Sequence, residues 1–436
     1  MRKVITYGTF DLFHRGHYNI LKRAKEEGDY LIVGVTGENY DMERGKLAVQ
    51  DSLATRVENV QKTGFADQII VEEYLGQKIS DILKYDVDVL VIGSDWKGKF
   101  DHLRKYCEVK YLERTKDISS TQLREERLDI YKFGVALDGP DDNHAISEAK
   151  RVSGIHVESV YCEDADCAGS FADSHELNSA FTDYDAFLQQ IDIVYIKVAQ
   201  EKRRALVERA IRAGKHVVCD VPYTLDPGQE AGLRALAEEK GVVLLDNITT
   251  LHLQAFGPLL WMARGNLIGD LRSAKFAVSR KHMGDKALTC FSDLAYYPLC
   301  VLLKIMGNDI RENSFKLVKN EDNEVSYALL TFSYENAVAT IEISMDSEVN
   351  DGIRLLGSTG TIHVPGDWWN IGYFTMKNNG EENYKRYSFN YEGNGFRYLV
   401  RAMLSYIKSS RVGNQGILPS EAETILSLLK KMDAGL

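Results

Sequence analysis

Nowhere does the chain approach the ~18 uninterrupted apolar residues that a membrane-spanning helix needs, and its mean hydropathy is -0.27. Also missing is a charged leader followed by an apolar stretch and a cleavage site. The start, Met1-Arg2-Lys3-Val4-Ile5-Thr6-Tyr7-Gly8, runs straight into a strand pattern. The expectation is a soluble, cytoplasmic protein without a membrane partner. The six cysteines, at 107, 162, 167, 219, 290 and 300, form no CxxC pair. Reduced thiols are therefore expected, and no cysteine-held metal. Positive charge is not in surplus either: 53 Lys and Arg stand against 64 Asp and Glu, a net charge of -11. That balance argues against a nucleic-acid surface. An acidic chain that binds phosphates must gather its cations locally.

What is present is enough chain for more than one core: 436 residues, 44% hydrophobic and 27% charged. Short β-branched runs alternate with helical patterns from the start, the mark of a parallel sheet. Strands are predicted at Val4–Tyr7, Tyr30–Thr36, Gln68–Glu72, Val89–Gly93 and Glu108–Leu112, with helices at Tyr18–Glu27, Leu53–Lys62, Ile79–Tyr85 and Ser120–Arg127. A second alternation has strands at Lys132–Leu137, His156–Tyr161, Ile193–Ile196, His216–Asp220 and Val242–Asn247, and helices at Ala145–Val152, Arg203–Arg212 and Gln229–Lys240. Beyond about residue 265 alternating strands such as Ser326–Tyr334, Val338–Met345 and Ile353–Leu356 point to a larger antiparallel sheet, with helices at Arg397–Ile407 and Ser420–Met432. The expected fold class is α/β: two Rossmann-like units and a C-terminal α+β open sheet. The expected boundaries are 1–128, 129–250 and 251–436.

The first strand leads into Gly8-Thr9-Phe10-Asp11-Leu12-Phe13-His14-Arg15-Gly16-His17, with a helix pattern directly after. Two histidines around a glycine at a helix start converge where backbone N–H groups already attract anions. Gly16 lets the backbone approach a ligand closely. The imidazoles can hydrogen-bond triphosphate oxygens whose charge grows during in-line attack on the α-phosphorus. Arg114 with Ser119, Ser120 and Thr121 sets a guanidinium and three hydroxyls at another helix start, a second phosphate cradle. The plainer reading of Ser119 and Ser120 is N-capping.

Residues 1 to about 128 resemble the HxGH nucleotidyltransferases, and within them the glycerol-3-phosphate cytidylyltransferases. The resemblance rests on Gly8–His17, Gly28-Asp29-Tyr30, Gly93–Asp101 and Arg114–Thr121. It implies transfer of CMP from CTP to a small phosphorylated alcohol, with Mg²⁺ bridging the phosphates and pyrophosphate leaving. No covalent enzyme intermediate is implied. His14, His17, Lys46 and Arg114 take the catalytic positions, the histidines as transition-state donors rather than bases. Gly8, Thr9, Phe10, Asp11, Gly16, Arg44, Arg56, Asp95, Ser119, Ser120 and Thr121 would line the nucleotide and substrate. Arg44 stands where a lysine is usual, keeping charge but changing geometry. Asp11 and Asp95 are candidates for substrate or Mg²⁺ contacts, whereas Trp96 reads as core.

From residue 130 onward the layout resembles the Gfo/Idh/MocA oxidoreductases, through Ala213–Pro222, Ala237–Gly241, Gly395–Tyr398 and Leu418–Glu421. That resemblance implies NAD(P), but the reactive positions depart from it. The turn after Lys132–Leu137 reads Asp138-Gly139-Pro140-Asp141-Asp142-Asn143, where Gly139 stands alone and three glycines are usual. Its carboxylates would face an anionic pyrophosphate. Glu163 or Asp164 could still hold a ribose. The family's Glu-Lys-Pro lysine is Val221 here, and Tyr297 replaces histidine in the pattern that opens at Asp293. Tyr297 reads either as a proton donor or as core, with Lys197 or Lys281 expected near it.

Two readings stay open for this half, a reductase that makes the polyol phosphate or a catalytically silent scaffold. A homo-oligomer, dimer or tetramer, is expected. For the first half the alternatives are an adenylyltransferase of the same superfamily and a non-catalytic nucleotide-binding scaffold.

Overall fold

The computed structural model describes residues 1–37, 40–41, 49, 51–74, 76–113, 130–138, 144–282, 290–350, 352–409, 413–414 and 416–434, with backbone alone at 95, 144, 282, 413–414 and 433–434. The chain forms two compact units: Met1–Ile130 with Arg151–Gly154, and Tyr131–Lys150 with Ile155–Leu436. The regions expected as a second and a third domain thus pack as one.

In the first unit the strands β1 (Lys3–Gly8), β2 (Tyr30–Thr36), β3 (Gln68–Glu72), β4 (Val89–Gly93) and β5 (Glu108–Leu112) form a sheet of order β3-β2-β1-β4-β5. Every neighbouring pair is parallel. The central strands read as continuous apolar runs because helices cover both faces, leaving no solvated side to alternate with. Helices Arg15–Lys25 and Leu53–Lys62 bury Leu21, Ala24 and Val60 with Val4, Val33 and Val91 on one face. Helix Gln77–Tyr85 buries Ile82 with Ile5, Ile32 and Leu90 on the other. Gly34 lies inside β2 because a Cβ there would come within 2.2 Å of the Tyr7 ring. The sequence is read apart at β1, where two crossovers diverge: β2 and β3 lie to one side, β4 and β5 to the other. Open parallel sheets bind ligands at such a switch point, beyond the carboxyl ends of the strands.

The second unit begins with β6 (Tyr131–Leu137), β7 (Ile155–Cys162), β8 (Ser179–Phe181), β9 (Ile193–Lys197), β10 (His216–Cys219) and β11 (Val243–Asp246). Their order, β11-β10-β9-β6-β7-β8, is extended beyond β11 by the short strand Gly413–Asn414. This is the doubly wound dinucleotide-binding arrangement, with its switch point between β6 and β9.

An eight-stranded sheet follows, built from β12 (Leu271–Ser279), β13 (Glu312–Lys319), β14 (Val325–Ser333), β15 (Val338–Ser344), β16 (Gly352–Gly357), β17 (Gly360–Pro365), β18 (Tyr373–Asn378) and β19 (Lys385–Ser388). Its order is β13-β14-β15-β12-β16-β17-β18-β19. The sheet is mixed rather than antiparallel throughout, because β12 pairs with β15 in parallel. One face, including Phe276, Leu330, Ile341, Leu355 and Phe374, is buried, and helix Phe291–Met306 packs against β12 and β15. The sequence reading missed that helix. It is buried on nearly every side and carries Pro298 in its interior, so no polar stripe marks its period.

Candidate active site

The first site is built where β1 ends. Phe10 and Leu12 in the connection that follows have φ of 55° and 47°, a backbone region that costs energy for side chains of their size. Three fastenings hold it. The Phe10 ring is buried beneath Gly8, where a Cβ would stand 2.9 Å from a ring carbon. The buried Asp11 accepts the Asp51 N–H at 2.9 Å, and Asp51 accepts the Leu12 N–H at 3.0 Å. The fully buried Arg56 donates to the carbonyls of Thr9 at 3.0 Å, Thr36 at 2.7 Å and Asp51 at 3.1 Å, and to Asp41 at 3.2 Å.

This anchoring sets helix Arg15–Lys25 with its N-terminus at the switch point. His14 is its N-cap, and its Nδ1 accepts the Gly16 N–H at 2.9 Å. A backbone N–H can only donate, so Nδ1 carries the lone pair, and in the neutral ring the proton sits on Nε2. His14 therefore presents a donor. The His17 ring stacks on it with centroids 3.9 Å apart, and packs edge-on against Phe10 at 5.5 Å. The helix has no acidic residue in its first turn, so no carboxylate there opposes an anion at its positive end.

These positions compare with the sequence reading as follows. His14, Gly16, His17, Gly8, Thr9 and Phe10 come together in one loop and helix start. Asp11, expected at substrate or Mg²⁺, is turned inward as a loop fastener. Arg56, expected as a cation near the phosphates, is a buried clamp. Its Nη2 is buried and alone has no hydrogen-bond partner among the described residues. Lys46, Arg44, Arg114, Ser119, Ser120 and Thr121 lie outside the described residues, as does the Asp95 side chain. The backbone of Asp95 lies in a tight turn, Ser94–Trp96, at the carboxyl end of β4, and Trp96 is 36% exposed rather than core. Asp41 and Asp51, which hold the loop, were not foreseen, and neither was the buried Lys78–Glu72 ion pair beside the Tyr7 ring. No local spacing announces such long-range partners.

At the carboxyl edge of the second unit Tyr195 donates to Asp220 Oδ1 at 3.0 Å. Asn247 Nδ2 donates to the same oxygen at 2.7 Å and to the Tyr195 hydroxyl at 3.1 Å. Tyr297 donates to the Asn247 carbonyl at 3.1 Å. Burial, with Asp220 and Asp293 nearby, pushes its phenol well above the usual value. Of the two readings of Tyr297 this is the core one. Asp293 forms a buried bidentate pair with Arg203 at 2.8 and 2.9 Å, so it anchors rather than reacts. Val221 is buried. Lys197 ends β9 opposite Leu137, at the switch point, whereas Lys281 is in an exposed pair with Glu348.

The dinucleotide position is mixed. Glu163, directly after β7, is exposed and pairs with Lys202 at 2.7 Å. Asp164 is spent capping helix Ala165–Ser174 through the Cys167 N–H. Asp138 accepts the Ala199 N–H at 2.6 Å, which fixes a carboxylate where β6 and β9 part. Gly139 lies outside the described residues. Among the described residues no cluster of metal-ligating side chains occurs, no helix is long and apolar enough to cross a membrane, and the six cysteines are free thiols.

A parallel sheet whose switch point receives a histidine-bearing helix start defines a nucleotidyltransferase domain. The chain belongs to the cytidylyltransferase-like family through residues 5–126, and residues 135–247 match the oxidoreductase family with an NAD-binding Rossmann fold. Over 126 residues it is 50% identical to the glycerol-3-phosphate cytidylyltransferase of Bacillus spizizenii, spanning 97% of that protein and 29% of this chain. It is 32% identical over 129 residues to the ethanolamine-phosphate cytidylyltransferase of Dictyostelium discoideum, 28% of this chain and 35% of that one. Over 197 residues, 42% of this chain, it is 30% identical to the dTDP-3,4-didehydro-2,6-dideoxy-alpha-D-glucose 3-reductase of Streptomyces violaceoruber, of which it spans 58%. A solved 3-ketoreductase from Actinomadura kijaniata, in complex with NADP and TDP-benzene, shares the second unit's fold. Its TM-score is 0.60 at 19% identity, over 70% of this chain and 98% of that one.

Proposed function

We propose that the first unit transfers CMP from CTP to a phosphorylated polyol, glycerol 3-phosphate or a related alditol phosphate, and so supplies a CDP-alcohol for a cell-surface polymer. The observation that carries this is the His14–Gly16 contact, which leaves the Nε2 proton of His14 as a donor at a helix start. An oxygen of the acceptor phosphate forms the new bond to the α-phosphorus, and the bond from the α-phosphorus to the bridging oxygen of pyrophosphate breaks. His14 and His17 donate hydrogen bonds to the oxygens that gain charge. Lys46, Arg44 and Arg114 add cationic charge, and Ser119, Ser120 and Thr121 add hydroxyls. Mg²⁺ would be brought in with the triphosphate, as part of the substrate, and would screen its charge.

Pyrophosphate release should run at least about 100-fold faster with CTP than with ATP, and product mass should identify the accepted alcohol phosphate. Preference for ATP would make the unit an adenylyltransferase. No turnover with either nucleotide would leave a binding scaffold.

For the second unit we infer a relative of the reductases that has lost their proton donor. Val221 in place of lysine, Tyr297 bound to a carbonyl and Asp293 bound to Arg203 support this. NAD(P) would lie along the carboxyl edge with its adenosine ribose at Glu163, and it would supply hydride in any redox step. The expected result is no NAD(P)H consumption, followed by absorbance, with any ketose or aldose phosphate. Steady consumption would overturn this reading and make Lys197 the donor to mutate. Assembly as a dimer or tetramer is part of the same proposal, read by light scattering.

A further inference from the structure

Where β11 ends, the second unit buries two carboxylates around one guanidinium. Helix Pro227–Glu239 supplies Glu230 and Arg234, and Asp246 is the last residue of β11. None of the three side chains is more than 6% exposed. Arg234 Nη2 donates to Glu230 Oε1 and lies 3.6 Å from Asp246 Oδ1. The hydroxyl of Tyr223, in the segment after β10, donates to that same Asp246 oxygen. Glu230 Oε2 is buried with the rest and has no hydrogen-bond partner among the described residues.

With both carboxylates ionised, the cluster holds two negative charges against one positive charge, away from water, which is costly. A proton on one carboxylate removes the imbalance. Glu230 is placed to take it, because Oε2 can carry the hydrogen while Oε1 goes on accepting from Arg234. Asp246 receives the Tyr223 hydroxyl, a bond that favours its ionised form. Burial, against the pull of Arg234 and with the Asp246 charge adding to it, pushes the Glu230 carboxyl up to about 7.

The other groups that face the cluster keep their charge state in this range. Tyr223, Tyr296 and Cys300 of helix Phe291–Met306, and Cys219 at the end of β10, are pushed above their ordinary values by burial and stay neutral. Helices Gln200–Arg212 and Pro419–Ala434 also pack on Pro227–Glu239. On the first, the buried Arg203 is committed to Asp293. On the second, Glu421 is held by Lys304 at 2.5 Å, and Glu423, Lys430 and Lys431 are exposed.

We propose that Glu230 is a proton-binding site of the second unit, filled as the medium turns mildly acidic, and that the fastening of helix Pro227–Glu239 to β11 tightens when the proton binds. The site stands whether or not the first unit transfers CMP. Unfolded, the carboxyl titrates near its ordinary value of 4.5, and folded near neutrality. The folded chain holds the extra proton between those limits, so stability falls as pH rises through that window. The contribution is complete below it and lost above it.

Urea unfolding of the full-length protein tests this, comparing wild type with Glu230→Gln across the window. Tryptophan fluorescence is the readout, since Trp261, Trp368 and Trp369, three of the four tryptophans, belong to this unit. Glutamine keeps an acceptor for Arg234 and cannot ionise. The ratio of unfolding constants, wild type over variant, should rise at least about tenfold between about pH 5 and about pH 7 and then level off. A ratio that stays flat over that range would overturn the proposal. Should Glu230→Gln fail to fold, the infrared C=O band of a protonated carboxyl decides. It should be present in wild type at about pH 6, where exposed carboxyls are ionised, and lost in Asp246→Asn, which leaves Arg234 a single carboxylate to neutralise. No band at that pH, or one that Asp246→Asn leaves unchanged, would equally overturn it.

Discussion

Replacing His14 by asparagine is expected to lower kcat by about 10²–10³-fold while the melting of the first unit moves little. The two effects separate because the two nitrogens of His14 do different work. Nδ1 caps the helix by accepting the Gly16 N–H, and asparagine is among the best N-caps, so its Oδ1 can take over that acceptor role. The Nδ2 amide of asparagine still donates, but it sits near the place of the ring's Cδ2 and does not reach where Nε2 does. Loss of one donor aimed at transition-state charge corresponds to roughly 2.7–4 kcal/mol. His14→Ala removes cap and donor together, and should add a stability loss of about 1 kcal/mol. His17→Asn should match the rate loss, with additional disorder at Phe10, against which the His17 ring packs. Stopped pyrophosphate-release assays read kcat, and scanning calorimetry reads melting. Full activity in both asparagine variants would sink the assignment of the histidines. A large melting shift in His14→Asn would instead mean that the cap geometry was misjudged.

What the sequence made legible follows from how far each signal reaches along the chain. The buried apolar runs of β2 and β4 could be bounded to the residue, as could the half-buried β-branched stretches of β3 and β5. The helix after β1 begins three residues earlier than its apolar pattern, at Arg15 rather than Tyr18, because the cap sets the start. The His14–His17 motif is local and was readable as chemistry. The roles of Asp11 and Arg56 were not, since each is decided by a partner far along the chain. Charged residues near a phosphate motif invite the reading of ligand contact, and only burial shows that a guanidinium is bound to carbonyls instead.

Asp293 shows the same limit with a larger energetic consequence. Read from sequence it belongs to a reactive pattern with Tyr297; in the structure it is fully buried and held by two hydrogen bonds from Arg203. Arg203 also donates to the carbonyls of Val198 and Pro222, so one guanidinium ties helix Gln200–Arg212 to the segment after β10 and to helix Phe291–Met306. Arg203→Met is expected to destabilise the second unit by about 3–5 kcal/mol, because it leaves the Asp293 carboxylate buried without its counter-charge. Asp293→Leu should cost a similar amount by stranding the guanidinium. The double variant Arg203→Met/Asp293→Leu removes both charges at once and should recover much of the loss, since well-packed apolar pairs often replace buried ion pairs at little cost. Denaturant unfolding of the three variants provides the double-mutant cycle, while the CTP-dependent rate of the first unit serves as a control that should not change. Additive losses in the double variant would refute the ion-pair account and return Asp293 to the list of reactive candidates.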